Sequence, residues 1–520
     1  MKKEYRTIIV GSGVAATLVA DRLLEADPSA SVLILEAGSR IPLRDRATWW
    51  DLLVSNKTPY SWTYDIENGK DQESFTDSST KWVFKESRVR ALGGSTMHWG
   101  GWSLRYKEED FKLRSRTGQG GDWPFDYDEL EPWYALAEDV LAVGGDAADE
   151  GPARSGKFPL PPFAWSAPER LLANAFSKSG LVPGHMPIAR FNRCMTTGTC
   201  KYCPLGSRYT AQDHLVELAA AHPRSLEVVT GSPARALLMD GRRALGVRYL
   251  DIAAGEEKEV FAGRVVIAAG AYESPKLLLQ SVSAEWPHGV GNSTDQVGRY
   301  IVTHSMLMVE AQAPSNPEHW LQEYDFPTLM SRSWDTPERQ RDGKIFLFND
   351  RGRPNVDIAQ LMRAGKTRAE IDAAIAGTRT AGLHAFIEEF GSFENRLQPG
   401  ATDGRFGLRH TRVSFARSAG TKTYADKVLA DMAAILEAAG YTVGVRKLQD
   451  PRGDHTTGTC RMGSSPADGV TDRDLQVHGT DNVYVCSNAV LPNAAAVNPT
   501  LTLAALALRL GTHLATQRLP

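Results

Sequence analysis

The stretch that decides the fold is YRTIIVGSGVAATLVADRLLEADPSASVLILEAGSR, residues 5–40. The β-branched run TIIV (7–10) is typical of a buried parallel strand, and the turn GSGVAA (11–16) leads from it into a helix with regularly spaced apolar residues. A second apolar run, SVLILE, ends at Glu36. The order of strand, glycine turn, helix and strand predicts a βαβ unit that binds a dinucleotide.

Each residue type in this unit has a physical role toward the dinucleotide. Gly11 permits the tight turn, Gly13 lets the backbone approach a pyrophosphate, and Ala16 lets the helix pack close to the strand. The first N–H groups of the helix are free to donate to phosphate oxygens. Glu36, about twenty residues beyond the glycines, is placed to accept hydrogen bonds from the adenosine ribose hydroxyls. The unit alone does not distinguish NAD from FAD.

A second fragment of the same kind is RVVIAAGAYESPKLLLQSVS, residues 264–283. Its strand, VVIAAG, runs into Gly270 and Ala271. The pair Ser274 and Pro275 predicts that a helix begins there, because proline is tolerated in a first turn. We interpret the fragment as another strand and helix of the same sheet.

Composition excludes several classes of function. The 520 residues carry a net charge of −3, with 42% hydrophobic and 23% charged residues. These values are ordinary for a soluble globular protein and indicate no basic surface for nucleic acid. Five cysteines cannot build a disulfide framework, which favours a reducing compartment.

Both ends of the chain carry apolar runs that imitate membrane segments. The N-terminal run follows two lysines, but glycines interrupt it and Asp21 and Arg22 follow it, so we interpret it as the strand, turn and helix described above. The C-terminal run LTLAALALRLGTHLA is too short to span a bilayer and is interrupted by Arg509. We therefore expect a cytoplasmic protein without a membrane partner.

Four further motifs extend the pattern along the chain: GGSTMHWGG (93–101), AAGAYESPKLL (268–278), HTTGTCRMG (455–463) and NVYVCSNAVLPNAAAVNPTLTLAALALRLGTHL (482–514). Together with the opening unit they resemble, in content and order, the glucose–methanol–choline (GMC) family of FAD oxidoreductases. The resemblance extends from residue 8 to residue 514. The STMHWGG motif and the His and Asn of the last two motifs resemble the bacterial pyranose oxidase and glycoside 3-oxidase branch.

The resemblance implies a fold of the α/β class. A Rossmann-like FAD-binding domain with a parallel sheet is combined with a substrate domain that has an antiparallel sheet and helices. We expect residues 1–105, 190–300 and 450–520 to form the discontinuous FAD-binding domain. Residues 106–189 and 301–449 are expected to form the substrate-binding domain.

The resemblance also assigns the chemistry to two residues. The histidine of the family's H-x-x-G-T motif is the base beside the flavin and matches His455, and its His or Asn partner before Pro-Thr matches Asn498. Oxidation of an alcohol removes a hydride from carbon and a proton from oxygen, and an imidazole with a pKa of about 6.5 accepts that proton at neutral pH. Asn498 is expected to hold the same hydroxyl so that its C–H faces flavin N5. The alternative is that His455 lies in a turn and Asn498 merely precedes a proline.

The motif GGSTMHWGG is expected to lie against the flavin. In fungal pyranose oxidases the histidine of a Ser-Thr-His-Trp sequence is bonded covalently to the flavin, and His98 falls at that position. Met97 replaces the threonine here, so we favour non-covalent FAD with His98 packed near the ring, and a covalent link stays the alternative. The predicted cofactor-binding residues are Gly11, Gly13, Val14, Ala15, Ala16, Glu36, Ala37, Gly93, Gly94, Ser95, His98, Trp99, Gly100, Gly101, Ala269, Asn488, Ala489, Asn498, Pro499 and Thr500.

Three cysteines, Cys194, Cys200 and Cys203, are spaced as C-x5-C-x2-C within residues 194–210. A closed zinc site requires four ligands, usually in two pairs, and an iron–sulfur cluster has a similar requirement. Cys460 and Cys486 belong to flavin-side motifs and are poor candidates for a fourth ligand. We therefore predict no metal, and interpret the segment as a structural loop.

One polar, partly helical segment, residues 349–382, has three open interpretations. It is a lid over the substrate, a contact between subunits, or a solvated insertion. Homo-oligomerisation is therefore left open by the sequence.

The resemblance implies oxidation of a secondary ring hydroxyl, at C2 or C3, of a pyranose or glycoside to a keto-sugar. The electrons then pass to O2, giving H2O2, or to a quinone. The residues alone support only an alcohol as substrate. Alternatives are a dehydrogenase of the same family that acts on another alcohol, a flavin-dependent lyase without redox turnover, and an NAD-binding dehydrogenase. An adaptor protein would not need His455 and Asn498 to converge.

Overall fold

The computed structural model of the chain describes residues 4–55, 58–59, 61–62, 74–76, 80–84, 87–191, 194, 200–313, 326–354, 358–377, 379–403 and 408–517. The helices are α1 Val14–Ala26, α2 Arg46–Ser55, α3 Leu113–Thr117, α4 Tyr127–Val140, α5 Ala167–Lys178, α6 Ala211–Ala221, α7 Gly270–Gln280, α8 Ile358–Arg363, α9 Arg368–Gly377, α10 Thr421–Ala438 and α11 Thr500–Thr516. Short 3-10 helices lie at Gly94–Met97, Glu108–Lys112, Gly453–His455 and Asn488–Val490.

The strands are β1 Glu4–Val10, β2 Val32–Leu35, β3 Ser61–Trp62, β4 Ser74–Thr76, β5 Val89–Arg90, β6 Val143–Gly144, β7 Gly184–His185, β8 Ile188–Ala189, β9 Leu226–Val229, β10 Ala234–Asp240, β11 Arg243–Asp251, β12 Glu256–Ile267, β13 Ser305–Gln312, β14 Leu329–Ser331, β15 Ile345–Pro354, β16 Arg379–Ile387, β17 Arg396–Asp403, β18 Arg409–Ser414, β19 Thr442–Leu448 and β20 Val483–Val485. The predicted α/β class is confirmed, as is the strand–turn–helix–strand unit at the N-terminus.

The first large sheet has seven strands in the order β10-β11-β12-β1-β2-β9, with β20 beside the carboxyl half of β12. The strands β9, β2, β1, β12 and β20 are parallel, whereas β10 and β11 are antiparallel and pair beside the amino half of β12. Every residue of β2 is buried. Such an uninterrupted apolar strand is typical of a parallel sheet that is covered on both faces.

One helix begins earlier than the sequence predicts. Its start was expected near Pro275, but α7 begins at Gly270 and contains Pro275 in its interior, so that prediction is wrong. Pro275 has no N–H to donate to the carbonyl of Ala271, and the hydroxyl of Thr459 donates to this carbonyl instead, at 2.7 Å. The interior proline is tolerated for this reason, and the segment that carries His455 is tied to α7.

The second large sheet is antiparallel, in the order β19-β13-β16-β15-β14-β7. Alternate side chains of β13, β15 and β16 pack in one apolar cluster with α5 and α10. The intervening side chains, which include Met306, Phe348 and Phe386, belong to the core on the opposite face. This second face is the one turned toward the first sheet and the site described below.

The two sheets draw on different parts of the chain. The first takes its strands from residues 4–35, 226–267 and 483–485, and the second takes them from 184–185 and 305–448. The division into an FAD-binding and a substrate-binding domain, with the boundaries given above, stays a prediction.

The polar segment 349–382 contains the end of β15, the short helices α8 and α9, and the start of β16, while residues 355–357 and 378 lie outside the described ranges. Arg363 on α8 donates to the carbonyl of Val54 on α2 at 2.8 Å. This contact attaches the segment to the N-terminal part of the chain without deciding among its three interpretations.

Within the described ranges, no helix combines the length and the apolarity that a membrane crossing requires.

Candidate active site

Three strands of the first sheet end at one edge, and the loops that follow them meet there. The loop after β1 contains Gly11, the loop after β12 contains Ala269, and the loop after β20 contains Asn488. Parallel pairing places these carboxyl ends side by side, which is where ligands bind in open α/β sheets. A cavity of about 500 Å³ lies at this edge, lined by all three loops.

Most of the predicted cofactor-binding residues line this cavity: Gly11, Gly13, Val14, Ala15, Glu36, Ala37, Gly94, Ser95, His98, Trp99, Gly100, Ala269, Asn488, Asn498 and Thr500. Five others are not part of its lining: Ala16, Gly93, Gly101, Ala489 and Pro499. Of these five, Gly93 supports the lining from behind, because its N–H donates to the hydroxyl of Ser12 at 3.1 Å. Sequence reasoning did not single out several further lining residues, namely Ser12, Arg88, Arg90, Tyr272, Glu273, Arg452 and Asp454.

The carboxylate of Glu36 lies just after β2 and is held by two donors. One is the hydroxyl of Ser12, and the other is the backbone N–H of Gly38 at 2.7 Å. Burial raises the pKa of Glu36, although these two donors and the Arg90 guanidinium act in the opposite direction. Each carboxylate oxygen keeps a lone pair for another donor. Glu36 can therefore accept a ribose hydroxyl, and this role stays a prediction.

The two glycines of the first turn differ in what a side chain would meet. Gly11 has a φ of +99°, and a Cβ placed on it would lie 2.5 Å from the carbonyl oxygen of Ala268. Gly13 has an ordinary φ of −70°, and a Cβ there would meet no atom within 4 Å. Gly11 is therefore required by the backbone itself, whereas Gly13 keeps the cavity open at the N-terminus of α1, where N–H groups are free for phosphate oxygens.

The lining residues fit FAD in shape and in chemistry. The cavity extends from the Gly11 turn to His455, a path that suits an elongated dinucleotide. Two buried amide oxygens on this lining, Oδ1 of Asn488 and Oδ1 of Asn498, have no hydrogen-bond partner among the described residues. A buried polar atom without a partner is costly, so both oxygens can accept from a bound ligand.

The predicted pair, His455 and Asn498, converges at one end of the cavity. His455 ends the 3-10 turn Gly453–His455, and Asn498 lies two residues before the start of α11. Although the two residues are 43 positions apart in the chain, Nδ2 of Asn498 lies 3.0 Å from Nε2 of His455. The fold thus brings the two side chains into contact, and their catalytic roles stay predictions.

Tyr272 on α7 holds the turn that presents His455. Its hydroxyl donates to the carbonyl of Gly453 at 3.1 Å and lies 2.8 Å from Oγ1 of Thr456, and the indole of Trp82 donates to it at 3.0 Å. A Cβ on Gly453 would lie 2.2 Å from the Tyr272 oxygen, so only glycine fits there. Sequence reasoning missed Tyr272, because a contact across 181 residues leaves no local pattern.

His304, just before β13, is a second residue that sequence reasoning missed. Its Nδ1 lies 3.0 Å from Nδ1 of His455, and its Nε2 lies 3.1 Å from the carbonyl oxygen of Ala494. Its ring stacks on Phe386 with centroids 5.0 Å apart and an interplanar angle of 12°. His304 belongs to none of the quoted motifs, so nothing in its sequence neighbourhood indicates this contact.

A second cavity of about 230 Å³ adjoins the first at the His455–Asn498 pair. Its walls combine aromatic rings with polar groups, and the residues that it does not share with the first cavity are Thr303, His304, Met306, Phe348, His384 and Phe386. The shared residues are Gly100, Trp102, Arg452, Asp454, His455 and Asn498. The pair therefore lies where the two cavities join.

The surroundings of His455 favour its neutral form. Burial lowers the pKa of His455 below its usual value, the Asp454 carboxylate raises it, and the Arg452 guanidinium lowers it. Burial would raise the pKa of Asp454, but Arg452 and His455 bring it below its usual value, and Arg452 lies 3.2 Å from this carboxylate. A neutral imidazole beside a carboxylate is suited to receive a proton.

His98 lies on the cavity lining, as predicted, at the end of the 3-10 helix Gly94–Met97. Burial and the nearby Arg208 guanidinium lower the pKa of His98 to about 3, so its imidazole is neutral. Whether His98 is bonded to the flavin stays open, and non-covalent binding remains our prediction.

The three closely spaced cysteines contain thiols and no disulfide, and residues 195–199 between them lie outside the described ranges. Among the described residues, the group of three potential metal ligands is Asp146, Asp149 and His185, which does not include a cysteine. In that group the Asp149 carboxylate accepts from the backbone N–H of His185 at 2.6 Å. We retain the interpretation of the cysteine segment as a structural loop.

The first turn offers a direct test of the cofactor site. In Gly13→Val the side chain would enter the open cavity, so the protein should fold normally but retain little or no flavin. In Gly11→Val the side chain would clash with backbone, so the folded state itself should be destabilised. Flavin absorbance per polypeptide and the thermal unfolding of the apoproteins separate the two effects. Gly13→Val protein with the full flavin content would contradict the assignment.

Comparison with known proteins agrees with this geometry. The N-terminal family model of the GMC oxidoreductases matches residues 5–306, and the C-terminal model matches residues 357–507. The chain is 26% identical to the fructose dehydrogenase large subunit of Gluconobacter japonicus, over 96% of each chain. It is also 26% identical to the 2-methyl-1,2-propanediol dehydrogenase of Mycolicibacterium austroafricanum, over 98% of this chain and 94% of that one.

A solved structure shares the fold. Pyridoxine 4-oxidase from Mesorbium loti superposes with a TM-score of 0.66 at 20% sequence identity, covering 99% of this chain and all of that one (100%). The two family models together account for most of the chain, including both segments that converge at His455 and Asn498. The chain therefore belongs to the GMC oxidoreductase family, whose members are FAD-dependent enzymes that act on CH–OH groups.

Proposed function

We propose that this enzyme oxidises a secondary ring hydroxyl, at C2 or C3, of a pyranose sugar or glycoside to a keto-sugar. The observation that carries the proposal is the position of His455 and Asn498 at the junction of two cavities. The larger cavity has the loops expected to hold FAD, and the smaller one has room for a substrate beside the pair.

The two residues divide the work on the hydroxyl. Nδ2 of Asn498 donates a hydrogen bond to the substrate oxygen and fixes its orientation, and Nε2 of His455 accepts the hydroxyl proton. Bound FAD supplies the acceptor for the hydride, which leaves the carbon that carries this hydroxyl. The substrate thus loses two electrons and two protons, one of them within the hydride, and becomes a ketone.

The smaller cavity favours a sugar over a simple alcohol. Its walls include the aromatic rings of Trp102, Phe348 and Phe386, and polar groups of Arg452 and Asp454 adjoin them. A sugar ring has apolar C–H faces that pack on aromatic rings and hydroxyls that bind a carboxylate or a guanidinium. At about 230 Å³ the cavity is below the usual range for drug-sized ligands, which suits a monosaccharide unit.

The relatives support the class of substrate without deciding it. The fructose dehydrogenase name denotes a sugar, and the 2-methyl-1,2-propanediol dehydrogenase name denotes a simpler alcohol. We propose that the reduced enzyme passes its electrons to O2, giving H2O2, or to a quinone. The alternative is a dehydrogenase that acts on another alcohol.

A substrate panel under anaerobic conditions tests the proposal. Glucose, xylose and several O- and C-glycosides should bleach the flavin, and the product should contain a ketone at C2 or C3. Faster bleaching by 2-methyl-1,2-propanediol than by any sugar would favour the alternative. If turnover occurred without any bleaching, the enzyme would be a non-redox lyase. Reoxidation of the reduced enzyme by O2 or by a benzoquinone then identifies the acceptor.

The role of His455 has its own test. His455→Ala should slow anaerobic flavin reduction by about 10²–10⁴-fold, because general base catalysis contributes that much. Asn498→Ala should slow it less, since it removes orientation and not the proton acceptor. Flavin content and thermal stability serve as controls and should stay close to the wild-type values. Reduction of His455→Ala at the wild-type rate would show that His455 is not the base.

The pH dependence of flavin reduction follows from the lowered pKa of His455. Only the neutral imidazole accepts a proton, so the rate should fall as the pH falls through that pKa. Because this pKa lies below the usual value of about 6.5, the rate should already be maximal at neutral pH. Asp454→Asn removes the carboxylate that raises the pKa, so the acid limb should move to lower pH. A wild-type rate that keeps rising above pH 7 would contradict this account.

A further inference from the structure

Four polar groups, the candidate base His455 among them, form a chain joined by three hydrogen bonds. The carbonyl oxygen of Ala494 lies 3.1 Å from Nε2 of His304, and Nδ1 of His304 lies 3.0 Å from Nδ1 of His455. At the far end, Nε2 of His455 lies 3.0 Å from Nδ2 of Asn498. Each of these contacts needs one donor and one acceptor. Because a neutral imidazole has one nitrogen of each kind, the position of the hydrogen in one contact determines its position in the next.

The direction of the chain is set at Ala494, because a carbonyl oxygen can only accept. Nε2 of His304 must therefore carry a hydrogen, and in a neutral imidazole the other nitrogen, Nδ1, is then an acceptor. Nδ1 of His455 must donate to it, which leaves Nε2 of a neutral His455 without a hydrogen. The amide nitrogen of Asn498 faces this bare Nε2, as a donor should.

We infer that His304 is a positioning residue that holds His455 in its Nδ1–H tautomer and so presents the Nε2 lone pair to the substrate hydroxyl. This inference rests on the proposed function only for its catalytic consequence. The tautomer itself is a property of the protein without substrate.

Burial keeps His304 in the neutral state that this chain of hydrogen bonds requires. The side chain is 4% exposed, and burial, followed by the proximity of His455, lowers the pKa of His304 to about 3. The Asp454 carboxylate, which raises the pKa of both imidazoles, does not outweigh burial at either of them. Arg452 is the other charged group that acts on His455.

The backbone fixes the distance between the two imidazoles. Val302 and Thr457 form an antiparallel bridge with hydrogen bonds of 3.2 and 2.9 Å, and the hydroxyl of Thr303 donates to the carbonyl of Arg452 at 2.7 Å. The segment before β13 is thus attached on both sides of the turn that carries His455. Such double attachment is what a positioning residue needs, since a tautomer is controlled only by a partner that does not move.

The chain of hydrogen bonds also assists the proton transfer itself. When Nε2 accepts the proton of the substrate hydroxyl, His455 becomes an imidazolium, and its Nδ1–H is then a stronger donor to Nδ1 of His304. No second proton has to move. His304 thus corresponds to the group that orients and stabilises the histidine of a catalytic triad, with a neutral imidazole nitrogen in place of a carboxylate.

Two substitutions at position 304 separate the hydrogen bond from packing. His304→Phe keeps a ring that can stack on Phe386 but removes the acceptor for His455. His304→Asn places Oδ1 where Nδ1 was, so that the acceptor for His455 is retained. The carbonyl of Ala494 loses the donor Nε2 but still accepts a hydrogen bond from the hydroxyl of Tyr106 at 2.9 Å. A purely structural role predicts that the phenylalanine variant is the milder of the two, and the tautomer role predicts the opposite.

The tautomer is read by ¹⁵N NMR of the histidine-labelled holoenzyme without substrate, with the His455 signals assigned by their absence in His455→Gln. We expect a protonated Nδ1 on His455 in the wild type and in His304→Asn, and a protonated Nε2 in His304→Phe. Anaerobic flavin reduction should be about 10- to 100-fold slower in His304→Phe, the loss typical when a partner that orients a functional histidine is removed, and mostly restored in His304→Asn.

Two results would overturn the inference. One is a protonated Nε2 on His455 in the wild type, and the other is an equal loss of rate in both variants with an unchanged tautomer. If no sugar or other alcohol reduced the flavin, the proposed function would fail while the NMR result would still decide the role of His304.

Discussion

Parallel pairing of β12 with β1 on one edge and with β20 on the other is the constraint on which the site depends. It brings the ends of three strands from distant parts of the chain to one edge of the sheet, where the loops at Gly11, Ala269 and Asn488 enclose one cavity. Backbone groups at such an edge are free to bind a ligand, because the strands have ended and the helices are only beginning. The backbone of the three loops thus forms much of the elongated cavity that suits a dinucleotide.

The segment that carries His455 is also held at this edge. The first turns of α7 face the H-x-x-G-T motif, where Thr459 donates to a carbonyl that Pro275 cannot satisfy and Tyr272 binds the turn before His455. An ordinary residue in place of Pro275 would donate its own N–H to this carbonyl, whereas the proline leaves the oxygen open to Thr459. The missing N–H of Pro275 thus lets Thr459 attach the segment that carries His455 to α7, and through α7 to the first sheet.

The smaller cavity takes part of its lining from the antiparallel sheet, whose strands direct alternate side chains to opposite faces. One face packs on α5 and α10, and the other provides the aromatic wall of the smaller cavity. Ala495 has a φ of 50°, a left-handed conformation that is unfavourable for alanine. It adjoins Ala494, whose carbonyl oxygen lies 3.1 Å from Nε2 of His304.

The sequence by itself determined the α/β class, the first βαβ unit and the family, because these depend on local periodicity and on glycines whose backbone needs are local. It also named His455 and Asn498, through motifs that their neighbours carry. The tertiary structure alone decided which groups surround them. His304 and Tyr272 make their contacts across 151 and 181 residues, and the carbonyl to which Pro275 cannot donate is bound by a hydroxyl 188 residues away. Contacts at such separations leave no pattern in the sequence, since they depend on how strands pair and not on which residues are adjacent.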